Sequence, residues 1–182
     1  MKIPKSVLLA PVLALPITGL VLALNAPKQA PKEPSADQVA RGKYLVTCSG
    51  CNDCHTPIKM DPKGPEPDMS RMLSGHPQEM DLPSPPKLGA GPWFAATAGM
   101  TAWSGPWGIS YAANLTPDPH TGLGIWTEEM FINTVLPPMP WQNMASLNDE
   151  DLKTVFAYLR SIPPIRNQVP DPVPPGGEVG FE

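Results

Sequence analysis

Cys51-Asn52-Asp53-Cys54-His55 is the stretch on which the rest of the chain depends. Two thiols spaced by two residues and followed at once by an imidazole form C-x-x-C-H, the attachment signature of c-type haem. The thiols of Cys51 and Cys54 can add across the two porphyrin vinyl groups, and the spacer sets the sulfurs at the separation this requires. His55 follows directly, so its imidazole is the proximal iron ligand. The same thiols without the histidine would read as a redox or zinc motif. A zinc site would need further ligands, and only Cys48, His76 and His120 remain among the cysteines and histidines. One covalently held haem c is the cofactor this stretch predicts.

Upstream, Ser35 reads as a helix N-cap, with Gln38 three residues on completing a capping box. The helix is expected over about Ala36 to Thr47, with Val39, Gly42 and Val46 on one face and Leu45 beside them. A glycine inside a helix costs about 1 kcal/mol against alanine, so Gly42 implies that another helix crosses closely there. Cys48 is left over. It is expected as a small buried side chain on the last turn; a reactive thiol or a pairing with another chain are the alternatives.

Downstream, Pro57 to Trp126 holds 12 prolines and 9 glycines, but also Trp93, Trp103, Trp107, Trp126, Phe94 and Tyr111. Disordered segments lack aromatics, so this is expected to be an ordered, irregular wrap that excludes water. Short strands are expected near Met100 to Trp103 and Gly108 to Ala112. Met60, Met69, Met72, Met80 and Met100 read as gap-fillers. Thr127 caps a short helix begun by Glu128 and Glu129. Asn148 caps the last helix, along which Leu152, Val155, Phe156, Leu159 and Ile162 form an apolar stripe. Ser161 ends it before Pro163 and Pro164.

The sixth iron position has three candidates. Met139 stands between Pro138 and Pro140, which lack an N–H and hold the backbone extended, pre-ordering the thioether. It is the expected distal ligand. An ordinary core methionine is its bland alternative. His76, in Ser74-Gly75-His76-Pro77, is the rival, and His120 is a second; for both, a surface-loop histidine is the ordinary reading.

The chain has 182 residues, enough for one domain, with 41% apolar residues and 27 prolines. The formal charge of −4 and pI near 5.3 give no support to nucleic-acid binding. Lys2 and Lys5 precede Val7 to Leu24, eighteen uncharged residues that read as an export signal or a membrane anchor. Leu24-Asn25-Ala26 is a poor cleavage site, which favours a retained anchor.

Four stretches carry a resemblance: RGKYLVTCSGCNDCHTP at Arg41 to Pro57, NLTPDPHTGLGIWTEE at Asn114 to Glu129, PPMPW at Pro137 to Trp141, and LNDEDLKTVFAYLRSIPP at Leu147 to Pro164. With them the chain resembles the class I c-type cytochrome family, and more closely the monohaem cytochrome domains of bacterial periplasmic dehydrogenases and respiratory complexes. The resemblance implies an all-α fold of cytochrome c-like helices around one covalent haem. To this the chain adds a long irregular Pro/Gly/Trp-rich insertion and an N-terminal apolar helix. It also implies that the first and last helices cross near Gly42, with Phe156 or Tyr158 against it. It implies Cys51 and Cys54 as thioether sites, His55 as proximal and Met139 as distal ligand. Two departures stand out. Residues 57–113 have no counterpart in the minimal fold, and Asn133-Thr134-Val135 leads straight into Leu136, where related domains carry a longer basic, Gly-rich link.

The expected organisation is a signal or membrane anchor over 1–26, a linker over 27–34, a cytochrome c domain over 35–166 and a Pro-rich tail over 167–182. The expected role is one-electron transfer at the periplasmic face of the bacterial inner membrane, as a carrier and not an enzyme. Its partners would be a redox donor and acceptor, other subunits of a membrane respiratory complex, and the membrane through the N-terminal segment. A haem-bearing docking or structural subunit of a larger complex is one alternative. A haem enzyme or gas sensor with an open sixth site is another.

Overall fold

The computed structural model describes residues 33–87, 93–134, 139 and 141–176. Two thirteen-residue helices frame it. Helix α1, Ala36–Cys48, begins with the expected capping box: Ser35 Oγ accepts from Gln38 N at 3.2 Å, and Gln38 Oε1 accepts from Ser35 N at 2.8 Å. The helix carrying the apolar stripe, Asp149–Ser161, begins at Asn148, whose side chain accepts from Asp151 N at 2.8 Å. These two helices pack against each other. Arg41 and Asp151 clasp across their edge in a fork, Nε to Oδ1 at 2.9 Å and Nη2 to Oδ2 at 3.2 Å. Between the helices Leu45, Val46, Val155, Tyr158, Leu159 and Ile162 bury a common core, joined by Leu73 and Leu123 from the loops. Burying a side chain of this size contributes about 1.5–3 kcal/mol.

Between the framing helices come α2, Cys51–His55, α3, Glu128–Ile132, and α4, Trp141–Ala145; the last framing helix is therefore α5. Thr127 caps α3 as expected, accepting from Met130 N at 3.1 Å, and Phe131 of α3 stacks on Phe156 of α5 with centroids 5.2 Å apart. Helix α4 has no counterpart among the expected elements: the Pro-rich run before it gives no sign of a helix starting at Trp141.

The all-α expectation is corrected by the segment between α2 and α3. Strands β1, Ile58–Asp61, and β2, Gly64–Pro67, pair as an antiparallel hairpin. Strands β3, Ala95–Ala96, β4, Ala102–Gly105, and β5, Gly108–Tyr111, form an antiparallel sheet in that order. The expected strands near Met100 to Trp103 and Gly108 to Ala112 correspond to β4 and β5. The insertion thus carries short strands between irregular segments, and β4 and β5 hold Trp103, Ile109 and Tyr111, residue types that suit a strand.

Two further expectations are overturned. Cys48 does end α1, but it is exposed. Its position on the helix turns it away from the face that carries Gly42, Leu45 and Val46. Met60, Met69, Met80 and Met100 are 40–79% exposed and fill no core gap; only Met72 packs against the core. The wrap also turns aromatics outward, with Trp93 and Phe94 70% and 56% exposed. The segment expected as a Pro-rich tail is tied to the domain at two places: Asn167 is buried, and Val173 exchanges two backbone hydrogen bonds with Ile109 of β5, at 2.8 and 2.9 Å. Polar side chains and single backbone bridges hold it, and neither leaves an apolar periodicity in the sequence.

The apolar stretch Val7 to Leu24 lies outside the described residues. Among the described residues no helix is long and apolar enough to cross a membrane.

Candidate haem site

The end of α1 and the start of α2 are joined by a single sharp turn. Ser49 caps α1 with its N–H bonded to Leu45 O at 2.8 Å, and Gly50 then takes a left-handed conformation, φ +68°. Glycine enters this region without steric cost. Helix α2 restarts at once, so Cys51, Cys54 and His55 stand at i, i+3 and i+4 on one side of one helical turn. Thr56 closes it. Its Oγ1 donates to Asn52 Oδ1 at 2.9 Å and accepts from Leu73 N at 2.9 Å, and the residue is almost wholly buried.

The imidazole of His55 is held from behind. Its Nδ1 lies 2.7 Å from the carbonyl oxygen of Ala113. A carbonyl only accepts, so Nδ1 carries the proton and Nε2 keeps a free lone pair. Burial pushes the His55 pKa down, and the Ala113 hydrogen bond opposes this. Burial thus favours the neutral ring, the form an iron ligand requires.

Room for the Ala113 carbonyl comes from Gly75. A Cβ built on Gly75 would lie 2.5 Å from Ala112 O and 2.7 Å from Ala113 O, and its φ of +82° again suits glycine. Gly75 N donates to His55 O at 2.8 Å, and His76 N donates to Ala112 O at 2.8 Å. The strip 73–76 is thus wedged between the haem-motif segment and 112–115. Behind it lies a polar knot. Asn114 Nδ2 donates to Ile165 O at 2.8 Å and Thr121 Oγ1 at 3.1 Å, and Asn114 Oδ1 accepts from Thr116 N and Oγ1. Asp118 Oδ1 accepts from His120 N, Thr121 N and Thr121 Oγ1.

The two thiols are free. Burial raises the Cys51 pKa to about 11, and burial likewise raises that of Cys54. Redox C-x-x-C motifs work the other way, by lowering a thiol pKa. Among the described residues no three His, Cys, Asp or Glu side chains are grouped to hold a metal ion between them. The donor set fits a haem: two protonated thiols for the vinyl groups, and one imidazole with its second nitrogen fixed.

The sixth-ligand candidates are placed very differently. Met139 lies in a bend and is half-buried, while residues 135–138 and Pro140 are outside the described set, as is the side chain of Trp141. His76 is not the surface-loop histidine expected. It is wholly enclosed, with Nδ1 2.9 Å from Thr101 Oγ1 and its ring 5.0 Å from that of Tyr111. His120 is exposed, as expected. Trp126 packs against the core beside Leu123. Sequence reasoning missed Thr56, Gly75, Ala113 and Asn167 as supports of the site. The only signal was a glycine in Ser74-Gly75-His76-Pro77, which reads as an ordinary turn.

A turn of helix bearing C-x-x-C-H, an imidazole backed by a carbonyl, and two crossed helices behind it resemble a c-type cytochrome domain. Two of the relatives that it matches are named as cytochrome subunits. Over 147 residues, 73% of this chain, it is 27% identical to the cytochrome c subunit of the quinone alcohol dehydrogenase of Gluconobacter oxydans, covering 24% of that protein. Over 158 residues, 78% of this chain, it is 26% identical to the fructose dehydrogenase cytochrome subunit of Gluconobacter japonicus, covering 26% of it. A shorter match, 34% over 86 residues and 41% of this chain, is to a subunit of the nicotinate dehydrogenase of Pseudomonas putida, covering 7% of it. The chain thus resembles the cytochrome c subunits of bacterial dehydrogenases, and it spans about a quarter of the length of these relatives or less. No protein-family model matches it.

Proposed function

We propose that this chain is a one-electron carrier with a single haem c on the periplasmic side of the membrane, and itself no enzyme. Cys51 and Cys54 hold the haem by thioethers, His55 is the proximal ligand and Met139 the distal one. The observation that carries the reading is the 2.7 Å hydrogen bond from His55 Nδ1 to the Ala113 carbonyl, which leaves Nε2 as a ligand beside two free thiols. When bound, the haem supplies reversible iron oxidation. The chain's own groups orient the imidazole and need no acid or base.

Met139 is preferred over His76 because His76 is enclosed against Thr101 and Tyr111. The organisation proposed is an anchor or signal over 1–26, a linker, and the haem domain from Ser35 onward, extended at its C-terminal end by residues 167–176 in view of Asn167 and Val173. The test is denaturation of the purified protein in acid followed by organic extraction. Pigment that stays with the polypeptide, and is lost in Cys51→Ala/Cys54→Ala, supports the reading. Pigment that extracts from the wild type defeats it.

A second reading has its own observation. Trp93 and Phe94 are 70% and 56% exposed. Large exposed aromatics mark interaction sites. They favour a haem-bearing subunit docked in a dehydrogenase or respiratory assembly, in keeping with relatives that are themselves named as subunits. Purification without detergent stripping separates the two: co-purifying subunits support the docked relay, and a monomer supports the tethered carrier.

A further inference from the structure

Asn167 stands where the sequence suggests a tail begins, yet it is 1% exposed and its side-chain amide is fully engaged. Its Nδ2 donates to Ser74 O at 2.7 Å and to His76 O at 2.8 Å, straddling Gly75. Its Oδ1 accepts from Gln78 N at 2.9 Å. Its own backbone is pinned, with N donating to Thr121 Oγ1 at 3.0 Å. The strip it clasps is the one whose Gly75 N holds His55 O, whose His76 N holds Ala112 O, and whose missing Cβ leaves room for the Ala113 carbonyl. We propose that Asn167 is a positioning residue for the proximal ligand: by locking Ser74-Gly75-His76 it keeps the Ala113 carbonyl aimed at His55 Nδ1, and so sets the reduction potential.

This role presupposes His55 as the proximal ligand of the proposed haem. A strong Nδ1–H···O=C bond makes an imidazole the more basic ligand, which favours the ferric state. Without the amide clamp two buried carbonyls, Ser74 O and His76 O, lose their donor. A buried carbonyl left without a donor is costly, and the strip relaxes away from 112–113. The Ala113 carbonyl then drifts from Nδ1, the imidazole becomes a poorer donor, and the ferrous state gains.

The experiment compares haem-loaded wild type, Asn167→Ala and Leu152→Ala. The last opens a cavity in α5 and breaks none of these hydrogen bonds. Three readouts are taken: midpoint potential, melting temperature, and hydrogen exchange of the Gly75 amide. The expected result for Asn167→Ala is about a tenfold shift toward the ferrous form at fixed potential, about 59 mV for a one-electron couple, with faster Gly75 exchange. Leu152→Ala lowers the melting temperature and leaves the potential alone. An unchanged potential in Asn167→Ala, or equal shifts in both variants, overturns the proposal while the haem reading stands. If Asn167→Ala does not accumulate, Asn167→Ser carries the same readouts. If both lose the haem, Asn167 is a structural pin only and the proposal falls. Absence of covalent pigment in the wild type would instead sink the reading beneath it.

Discussion

The carbonyl of Thr154 on α5 lies directly against Gly42 of α1: a Cβ at Gly42 would sit 1.9 Å from that oxygen and 2.8 Å from Tyr158 Cβ. No side chain fits there, so the glycine that weakens α1 on its own is what lets the two helices meet. Gly42→Ala should raise the intrinsic helicity of α1 and still destabilise the protein, by about 1–3 kcal/mol from overpacking of backbone against backbone. Denaturant melts would show it. A neutral or stabilising result would mean the helices separate at no cost, against so tight a crossing.

Thiol reactivity gives a second prediction. Cys48 is exposed and free, whereas Cys51 and Cys54 are consumed if the haem is attached through them. A thiol reagent should therefore titrate one thiol in the native holoprotein and still only one after denaturation. Cys48→Ser should take both counts to zero and leave the haem spectrum unaltered. Three thiols after denaturation would exclude thioether attachment.

A third prediction concerns Met139. Methionine–iron ligation is expected to give a weak far-red charge-transfer band in the ferric protein, and Met139→Ala should abolish it. The potential should fall as the thioether is lost, since methionine ligation raises it. Survival of the band would move the ligand elsewhere. The enclosure of His76 against Thr101 and Tyr111 makes it a poor replacement.

The contrast between what can and cannot be read in the sequence follows from the range of each interaction. Ser35 with Gln38, Thr127 and Asn148 announce their helices, because a cap is made within three residues of itself. The stripe from Leu152 to Ile162 announces its buried face, because the period lies within one helix. Cys51 to His55 stands out because the whole C-x-x-C-H pattern falls within one helical turn. The supports of His55 are different. Ala113 contributes only a backbone carbonyl, for which any residue would serve. Asn167 acts across 93 and 91 residues on the carbonyls of Ser74 and His76. Cys48 and the exposed methionines mislead because residue type alone argues for burial, which holds on average and not at each site.

The acid limb of the stability profile is a fourth prediction. Asp151 is held below the usual carboxylate range chiefly by its hydrogen bond from Arg41, Asp118 chiefly by that from Thr121, and Glu79 chiefly by that from Arg71. Each binds its proton less readily folded than unfolded. Their stabilisation is fully present above the unfolded carboxylate pKa, about 4, and is lost as pH falls through the lower folded values. His76, pushed down by burial, acts in the same direction at higher pH, with its contribution waning below about 6.5. Urea melts between pH 7 and pH 3 should show two descending steps. Asp151→Asn should flatten the lower one, and His76→Gln the upper. A profile flat from pH 7 to pH 4 would show that His76 takes up its proton without cost.

Truncation after Arg166 is the last prediction, and it tests whether the C-terminal segment belongs to the domain. A surface tail could be removed at no cost. Here removal strips the amide that satisfies Ser74 O and His76 O, and the two backbone bonds between Val173 and Ile109. The first loss leaves buried carbonyls without donors; the second bares the outer edge of β5 in the sheet β3-β4-β5. Ending the chain at Arg166 should therefore cost several times what ending it after Pro172 costs, because the longer form keeps Asn167. Both should lose protection of the Ile109 amide in hydrogen exchange, but only the shorter should lose it at Gly75. Equal melting temperatures for the two truncations would show that Asn167 contributes nothing to the fold. The expected ranking, wild type above the cut at 172 above the cut at 166, separates the edge bridge from the buried clamp.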